Sequence, residues 1–362
     1  MSLALSKNIS FKVAQEKMHQ RLTPAGEIIG EMPDLSPAEL LAFYRWMVFG
    51  RVYSNRMVAL QRQGRMGTFA PINGQEATSV ASAASLKQSD WLVASYRESL
   101  SYMVKGVSLL TVMKQWGGYM ADDYPREINC LPFQVVLGAQ MLHAVGVAQA
   151  IKYSKKSDVV VTACGDGATS EGDFNEALNF AGVYKVPVIF VVQNNGWAIS
   201  TPRKKQTAAE YIADRGQGFG IPSYVVDGND YLAMHQVMNE AIARARAGDG
   251  PSLIEAITYR LAAHTTADDP TKYRDPAEVE PWLERDPLLR FQKFLLDQEV
   301  LNEREDEQLY ADTAAEIQTV VEAYEALEPQ PLTLLFNNVF ATPSRQMQRQ
   351  QAHLLQELGL AA

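Results

Sequence analysis

Cysteine is nearly missing from this 362-residue chain: Cys130 and Cys164 are the only two, and no pairing motif joins them. A disulfide-stapled secreted scaffold is thereby excluded, and a reducing compartment is expected. Histidine is almost as sparse. Its five copies, His19, His143, His235, His264 and His353, are too widely spaced for a histidine metal cluster. No apolar run approaches the length of a membrane span, so no membrane is expected. A net charge of −9 argues against nucleic acid, whose phosphates need clustered Lys and Arg. The N-terminus carries Lys7, Lys12 and Lys17 but no secretory apolar core, while Glu16 and a first arginine only at Arg21 argue against a transit peptide. That stretch reads as a solvated or interface-wrapping arm, and the chain as cytoplasmic. Internal repeats and low-complexity tracts are also missing.

What is present is a globular composition, 47% apolar and 21% charged, centred on one unit at residues 165–195. Residues 158–164 form a short β-branched apolar run, as expected of a parallel strand buried on both faces. A helix is predicted over 168–185, with Phe174, Leu178, Ala181 and Tyr184 at helical spacing and Ser170, Glu171 and Asp173 polar near its start. Residues 187–192 form a second buried strand. A right-handed crossover makes the strands parallel and sets their C-terminal ends side by side, so Gly165-Asp166-Gly167 and Asn194-Asn195 converge. A carboxylate, an amide oxygen and nearby carbonyls suit Mg²⁺ or Ca²⁺. The glycines admit close backbone approach, and a helix starting near Ala168 offers free N–H groups to an anion such as a metal-bridged diphosphate. Gly-Asp-Gly alone would be an ordinary turn; its pairing with Asn-Asn across one βαβ unit favours the metal–diphosphate reading.

Elsewhere, Ser36-Pro37-Ala38-Glu39 has the form of a capping box opening a helix through about Val52. The sheet-containing core runs to about Thr258, with Ser252–Ile257 a late strand. Residues 259–276 are polar, end in proline and read as an active-site loop. From Glu278 the chain is mostly helical, and Met347, Leu354, Leu355 and Leu358 share a stripe suited to self-packing or subunit contact.

Gly-Asp-Gly followed at this distance by Asn-Asn resembles the thiamine diphosphate signature. The surroundings, GDGATSEGDFNEALNFAGVYKVPVIFVVQNNGWAIST, resemble the α subunit of the decarboxylating component of 2-oxoacid dehydrogenase complexes. RQGRMGTFAP, NGQEA, Tyr96-Arg97, LGAQMLHAVGVAQA and HTTADDPTKYRDP follow in the family's order. The texture is nearest bacterial pyruvate dehydrogenase α subunits, with branched-chain 2-oxoacid dehydrogenase close behind and acetoin dehydrogenase as a further alternative. The fold implied is α/β, a thiamine diphosphate-binding fold with a mostly parallel sheet flanked by helices, an N-terminal arm and a helical C-terminal extension. The division implied is 1–275 for the cofactor domain with arm and loop, and 276–362 for the extension.

The resemblance implies thiamine diphosphate and Mg²⁺ as cofactors. Asp166, Asn195 and the Trp197 carbonyl would ligate the metal. Gly165, Gly167 and Ala168 would lie at the diphosphate, with Tyr96 and Arg97 binding its oxygens; arginine's planar fork suits phosphate. Val135 and Leu137 would prop the bent cofactor. His264 would be the catalytic acid/base group beside the cofactor, near the reacting carbon and the incoming lipoyl group. Several positions depart from relatives. Ala70 stands where animal pyruvate enzymes carry a substrate-binding histidine, which leaves Phe69 and its neighbours to shape the substrate pocket. Ala139 lacks the hydroxyl of a potassium site, and Gln193 replaces an arginine of branched-chain relatives. Thr265-Thr266 matches a regulatory serine region of animal relatives. The glutamate that drives ylid formation lies on a separate β subunit in this family, and nothing in the chain adds a second, pyrimidine-binding module. The expected partners are therefore a β subunit in an α2β2 heterotetramer, a lipoylated acyltransferase component and a small 2-oxoacid.

Overall fold

The computed structural model describes residues 18–120 and 124–360; residues 1–17 of the expected N-terminal arm lie outside the described residues. In chain order the strands are β1 (Trp91–Ala94), β2 (Val160–Gly165), β3 (Val188–Asn194), the two-residue β4 (Trp197–Ala198) and β5 (Thr201–Pro202), β6 (Ser223–Asp227) and β7 (Ser252–Ile257). Five of them form an all-parallel sheet in the order β1-β2-β3-β7-β6, while β4 and β5 make a small antiparallel pair. The chain is thus mixed α/β with a parallel central sheet flanked by helices.

The continuous apolar runs are explained by cover on both faces. Side chains alternate along each strand. Val161, Ala163, Ile189, Val191 and Ile254 face one core, shared with the Pro37–Arg62, Glu76–Ala84 and Tyr231–Ala247 helices. Val160, Cys164, Val188, Phe190, Val192 and Leu253 face the other, beneath the Ala139–Tyr153 and Gly172–Tyr184 helices. Register pairs Gly165 with Gln193, so the segments leaving β2 and β3 emerge together, as the βαβ reading requires.

Two helix boundaries differ from expectation. The Pro37–Arg62 helix starts where expected, with Ser36 N–H donating to Glu39 and Glu39 N–H to Ser36 Oγ, but it continues ten residues past Val52. Tyr53, Ser54, Met57 and Leu60 prolong its buried face, and the chain turns only at Gly64, whose φ is +72°. The second difference lies at the candidate site. Residues Asp166–Ser170 form a 3-10 turn and the α-helix begins at Gly172, not near Ala168. Thr169 Oγ1 donates to Asp166 O at 2.7 Å, and Glu171 takes an extended conformation that separates turn from helix.

The described part of the arm is packed rather than solvated. His19 bridges to Val226 on β6, Leu22 is fully buried, and the Arg21 and Leu22 N–H groups both donate to Asp230 Oδ2 at 2.6 Å. The Pro287–Asp297 helix joins the same cluster: Arg290 is buried 2.8 Å from Asp227, and Phe291, Phe294 and Leu295 enter the core. The Arg345–Glu357 helix, in contrast, has no buried residue, and its Met347, Leu354 and Leu355 are only half-covered.

Candidate active site

Four neighbouring strands deliver their C-terminal ends to one cavity of about 550 Å³. Tyr96 and Arg97 follow β1, Asp166 follows β2, Asn195 follows β3, and the loop bearing His264 follows β7. Ligands of parallel α/β sheets bind at this edge, because the loops after adjacent strands converge there. Gly165, Gly167, Ala168 and Trp197 line the same cavity, as do Val135 and Leu137 from the segment before the Ala139–Tyr153 helix.

Asp166 is only 1% exposed, yet among the described residues no cationic side chain forms an ion pair with it. Its Oδ1 accepts from Asn195 N–H at 3.3 Å and its Oδ2 from Gln206 Nε2 at 2.9 Å. Burial pushes its carboxyl above the usual carboxylate range, with these donors acting the other way. Arg260 acts on it only at a distance, and a buried carboxylate without a direct ion pair is what a divalent cation would compensate. Asn195 donates Nδ2 to Gln75 at 3.2 Å, which fixes its amide so that Oδ1 is the acceptor beside Trp197 N–H. Among the described residues no three His, Cys, Asp or Glu converge. One carboxylate, one amide oxygen and backbone carbonyls form a hard set that fits Mg²⁺ rather than a nitrogen- or sulfur-seeking metal.

The paired asparagines divide their work. Asn194, the last residue of β3, donates to Glu255 at 2.7 Å and accepts from Gly196 N–H at 3.2 Å, so it shapes the turn while Asn195 enters the cavity. The glycines divide as well. A Cβ on Gly167 would lie 2.8 Å from that of Ala198, so β4 can close over the turn only because Gly167 has none. A Cβ on Gly165 would meet nothing nearer than 4.0 Å. Because the α-helix starts at Gly172, behind Glu171 and with Asp173 in its first turn, the anion donors nearest the cavity are the N–H groups of the 3-10 turn instead of a helix terminus.

His264 sits between two guanidiniums. Its Nδ1 is 3.1 Å from Arg97 Nη2 and 3.2 Å from Arg260 Nη1. Guanidinium only donates, so Nδ1 accepts and the neutral ring carries its proton on Nε2. Burial, then Arg97 and Arg260, lower its pKa to about 4, against an opposing pull from Asp268. The loop is pinned at this point: His264 N–H donates to Asp268 at 2.8 Å, Tyr273 OH donates to the same oxygen, and Arg97 Nη2 donates to His264 O at 3.0 Å. Tyr96 meets the His264 ring edge-on at 6.4 Å. Neither buried arginine forms an ion pair among the described residues, and the Arg97 guanidinium at the cavity is held by hydrogen bonds to the Pro71 carbonyl and His264.

Phe69 does not line the cavity. Its ring is fully buried, edge-on to Tyr53 at 5.5 Å and to Trp116 at 5.1 Å, because the Phe69 backbone pairs with Thr266 and turns the side chain into the core. Thr68, Ala70 and Trp116 line the wall instead. Three polar residues at the site were not foreseen: Gln206 on Asp166, Arg260 on His264, and Asp268 anchoring the loop. Asp268 lay within HTTADDPTKYRDP, and Arg260 showed as a lone cation beside an apolar strand; Gln206 had no local signal. Val135 and Leu137 remain 67% and 39% exposed, an apolar rim left open.

A buried carboxylate, an amide oxygen, a tight 3-10 turn and a guanidinium-flanked histidine brought together at the C-terminal edge of a parallel sheet define a class: an α/β protein with a ligand cavity at its strand ends. The comparison with known proteins narrows it. Residues 44–332 match the family model described as dehydrogenase E1 component, and the chain belongs to that family. It is 46% identical over 324 residues, 88% of each chain, to the 3-methyl-2-oxobutanoate dehydrogenase subunit alpha of Mycobacterium tuberculosis. It is 41% identical over 328 residues, 90% of this chain and 89% of the other, to the pyruvate dehydrogenase E1 component subunit alpha of Staphylococcus aureus.

Proposed function

We propose that this chain is the α subunit of the thiamine diphosphate-dependent E1 component of a 2-oxoacid dehydrogenase complex, with pyruvate as substrate. The observation that carries the reading is the convergence of Asp166, Asn195, Arg97 and His264 on one cavity from four adjacent strand ends. Asp166, Asn195 and the Trp197 carbonyl would hold Mg²⁺. Tyr96, Arg97 and the Gly167–Ala168 backbone would hold the diphosphate, with Gly165 behind it and Val135 and Leu137 against the cofactor rings. When bound, thiamine diphosphate supplies a carbon nucleophile for the 2-oxo group and a sink for the electrons freed on decarboxylation.

His264 contributes a neutral imidazole at physiological pH, since its pKa is lowered to about 4. With Nδ1 engaged by Arg97 and Arg260, the transferable proton is on Nε2, and that atom is proposed to exchange it during acyl transfer to the lipoyl group. Arg97 and Arg260 also fix the ring, so one nitrogen is selected for the task. The exposed Val135–Leu137 rim is proposed to be covered by a β subunit of an α2β2 assembly, which would add the missing glutamate and close the cavity to water. A lipoylated acyltransferase would accept the acyl group.

A branched-chain 2-oxoacid is the second reading, favoured by the 46% identity to the mycobacterial relative named for 3-methyl-2-oxobutanoate. Gln193 supports pyruvate, since the resemblance implies an arginine there in branched-chain relatives. Gln193 donates to Glu98 at 3.1 Å within the buried floor, a place where an arginine would add charge. A pocket separates acids that differ by one methylene by only about 10–200-fold, so rates must be compared directly. The test is co-expression with the β subunit and assay of pyruvate, 3-methyl-2-oxobutanoate and acetoin against an artificial electron acceptor. A higher kcat/KM for pyruvate supports the first reading; a higher value for the branched acid replaces it.

A further inference from the structure

The loop that leaves β5 passes over the Asp166–Ser170 turn and hydrogen-bonds to it through Gln206. Gln206 donates Nε2 to Asp166 Oδ2 at 2.9 Å, and its Oε1 accepts from Ser170 Oγ at 3.2 Å. The amide therefore spans the turn from its first residue to its last. The loop is fastened on either side: Arg203 N–H donates to Gly196 O at 2.9 Å, and the Arg215 guanidinium donates to Thr169 O.

We infer that Gln206 is a positioning residue for the divalent cation, fixing the Asp166 carboxylate and tying the residue 203–212 loop to the turn that carries it. A carboxylate turns freely unless both oxygens are held. Asn195 N–H holds Oδ1 and Gln206 holds Oδ2, and each oxygen keeps a second lone pair for a cation. Donors behind a metal ligand orient it, and their loss costs about 10–100-fold in metal affinity. The same contact gives a readout that a merely structural role would leave unmoved. Lys204 and Lys205 are exposed immediately before Gln206, so trypsin reports whether the loop is held down. The inference rests on the metal–diphosphate reading of the site.

The experiment titrates Mn²⁺ into the chain assembled with its β subunit, at saturating thiamine diphosphate, following free Mn²⁺ by electron paramagnetic resonance. Gln206→Ala is expected to raise the Mn²⁺ Kd at least about tenfold. Ser170→Ala, which removes the second anchor of the amide, is expected to raise it about threefold. Mn²⁺ with thiamine diphosphate should slow tryptic cleavage after Lys204 and Lys205 in the parent protein and fail to do so in Gln206→Ala. Equal Mn²⁺ affinity in the parent and Gln206→Ala overturns the inference. If Gln206→Ala does not fold, unchanged affinity and protection in Ser170→Ala overturn it. Absence of Mn²⁺ binding by the parent itself would instead overturn the underlying site reading.

Discussion

Arg97 and His264 are 167 positions apart, yet Arg97 Nη2 lies 3.1 Å from the imidazole Nδ1 and 3.0 Å from the carbonyl of the same histidine. A residue in the turn after β1 thus sets both the protonation of the histidine and the place of the loop after β7. The first consequence is a shifted titration of the imidazole.

His264 should be neutral at pH 7 and titrate near 4 in the ligand-free chain. The unfolded chain takes up this proton near 6.5, so between 6.5 and about 4 the unfolded state binds more protons. The stability contributed at this residue is therefore full above 6.5 and declines as pH falls towards 4. Histidine-selective NMR titration reads the value directly. Arg260→Met, which removes one of the two adjacent cations, should move it upward; titration of the parent His264 near 6.5 would contradict the assignment.

Asp166→Asn should separate stability from binding. Because burial raises the Asp166 pKa, its ionised form is a cost to the empty protein above the ordinary carboxylate range. The neutral amide removes that cost, and the melting midpoint of the ligand-free chain should rise by about 2 °C or more. The parent assembly should gain about 2.7 kcal/mol when Mg²⁺ and thiamine diphosphate are present at roughly 100 times Kd. The variant assembly should gain nothing. Differential scanning calorimetry with and without cofactor distinguishes the two effects.

Phe69→Ala should act on the core. The ring is fully buried between Tyr53 and Trp116, so its loss leaves a cavity and should cost about 3–5 kcal/mol in urea unfolding. A variant of unchanged stability with an altered substrate KM would return Phe69 to the pocket.

The parts of the site readable from sequence are those with local pattern. Apolar runs at 158–164 and 187–192 identify strands buried on both faces, and one βαβ unit is enough to bring Asp166 to Asn195. The Ser36–Glu39 capping box fixes a helix start for the same reason. Boundaries governed by packing were less legible. The Pro37–Arg62 helix outruns Val52 because Tyr53, Met57 and Leu60 find a core to enter, which depends on elements distant in sequence. The helix start near Ala168 failed because Thr169 and Asp166 close a local 3-10 turn that competes with the first α-helical turn. Gln206 and Arg260 act through single long-range hydrogen bonds, which leave no periodic trace. Phe69 shows the limit for apolar residues beside a pocket: the pairing of its backbone with Thr266, not its chemistry, turns it inward.

On the proposed reading this cavity is half of an active site, completed by a β subunit over the Val135–Leu137 rim. The most direct measurement compares the purified single chain with the co-purified α–β assembly, assaying thiamine diphosphate- and Mg²⁺-dependent decarboxylation of pyruvate and of 3-methyl-2-oxobutanoate under identical conditions. Turnover is expected from the assembly and none from the single chain, with acyl transfer to the lipoyl group lost in His264→Ala. Appreciable decarboxylation by the single chain, or none by the assembly with either acid, would contradict that reading.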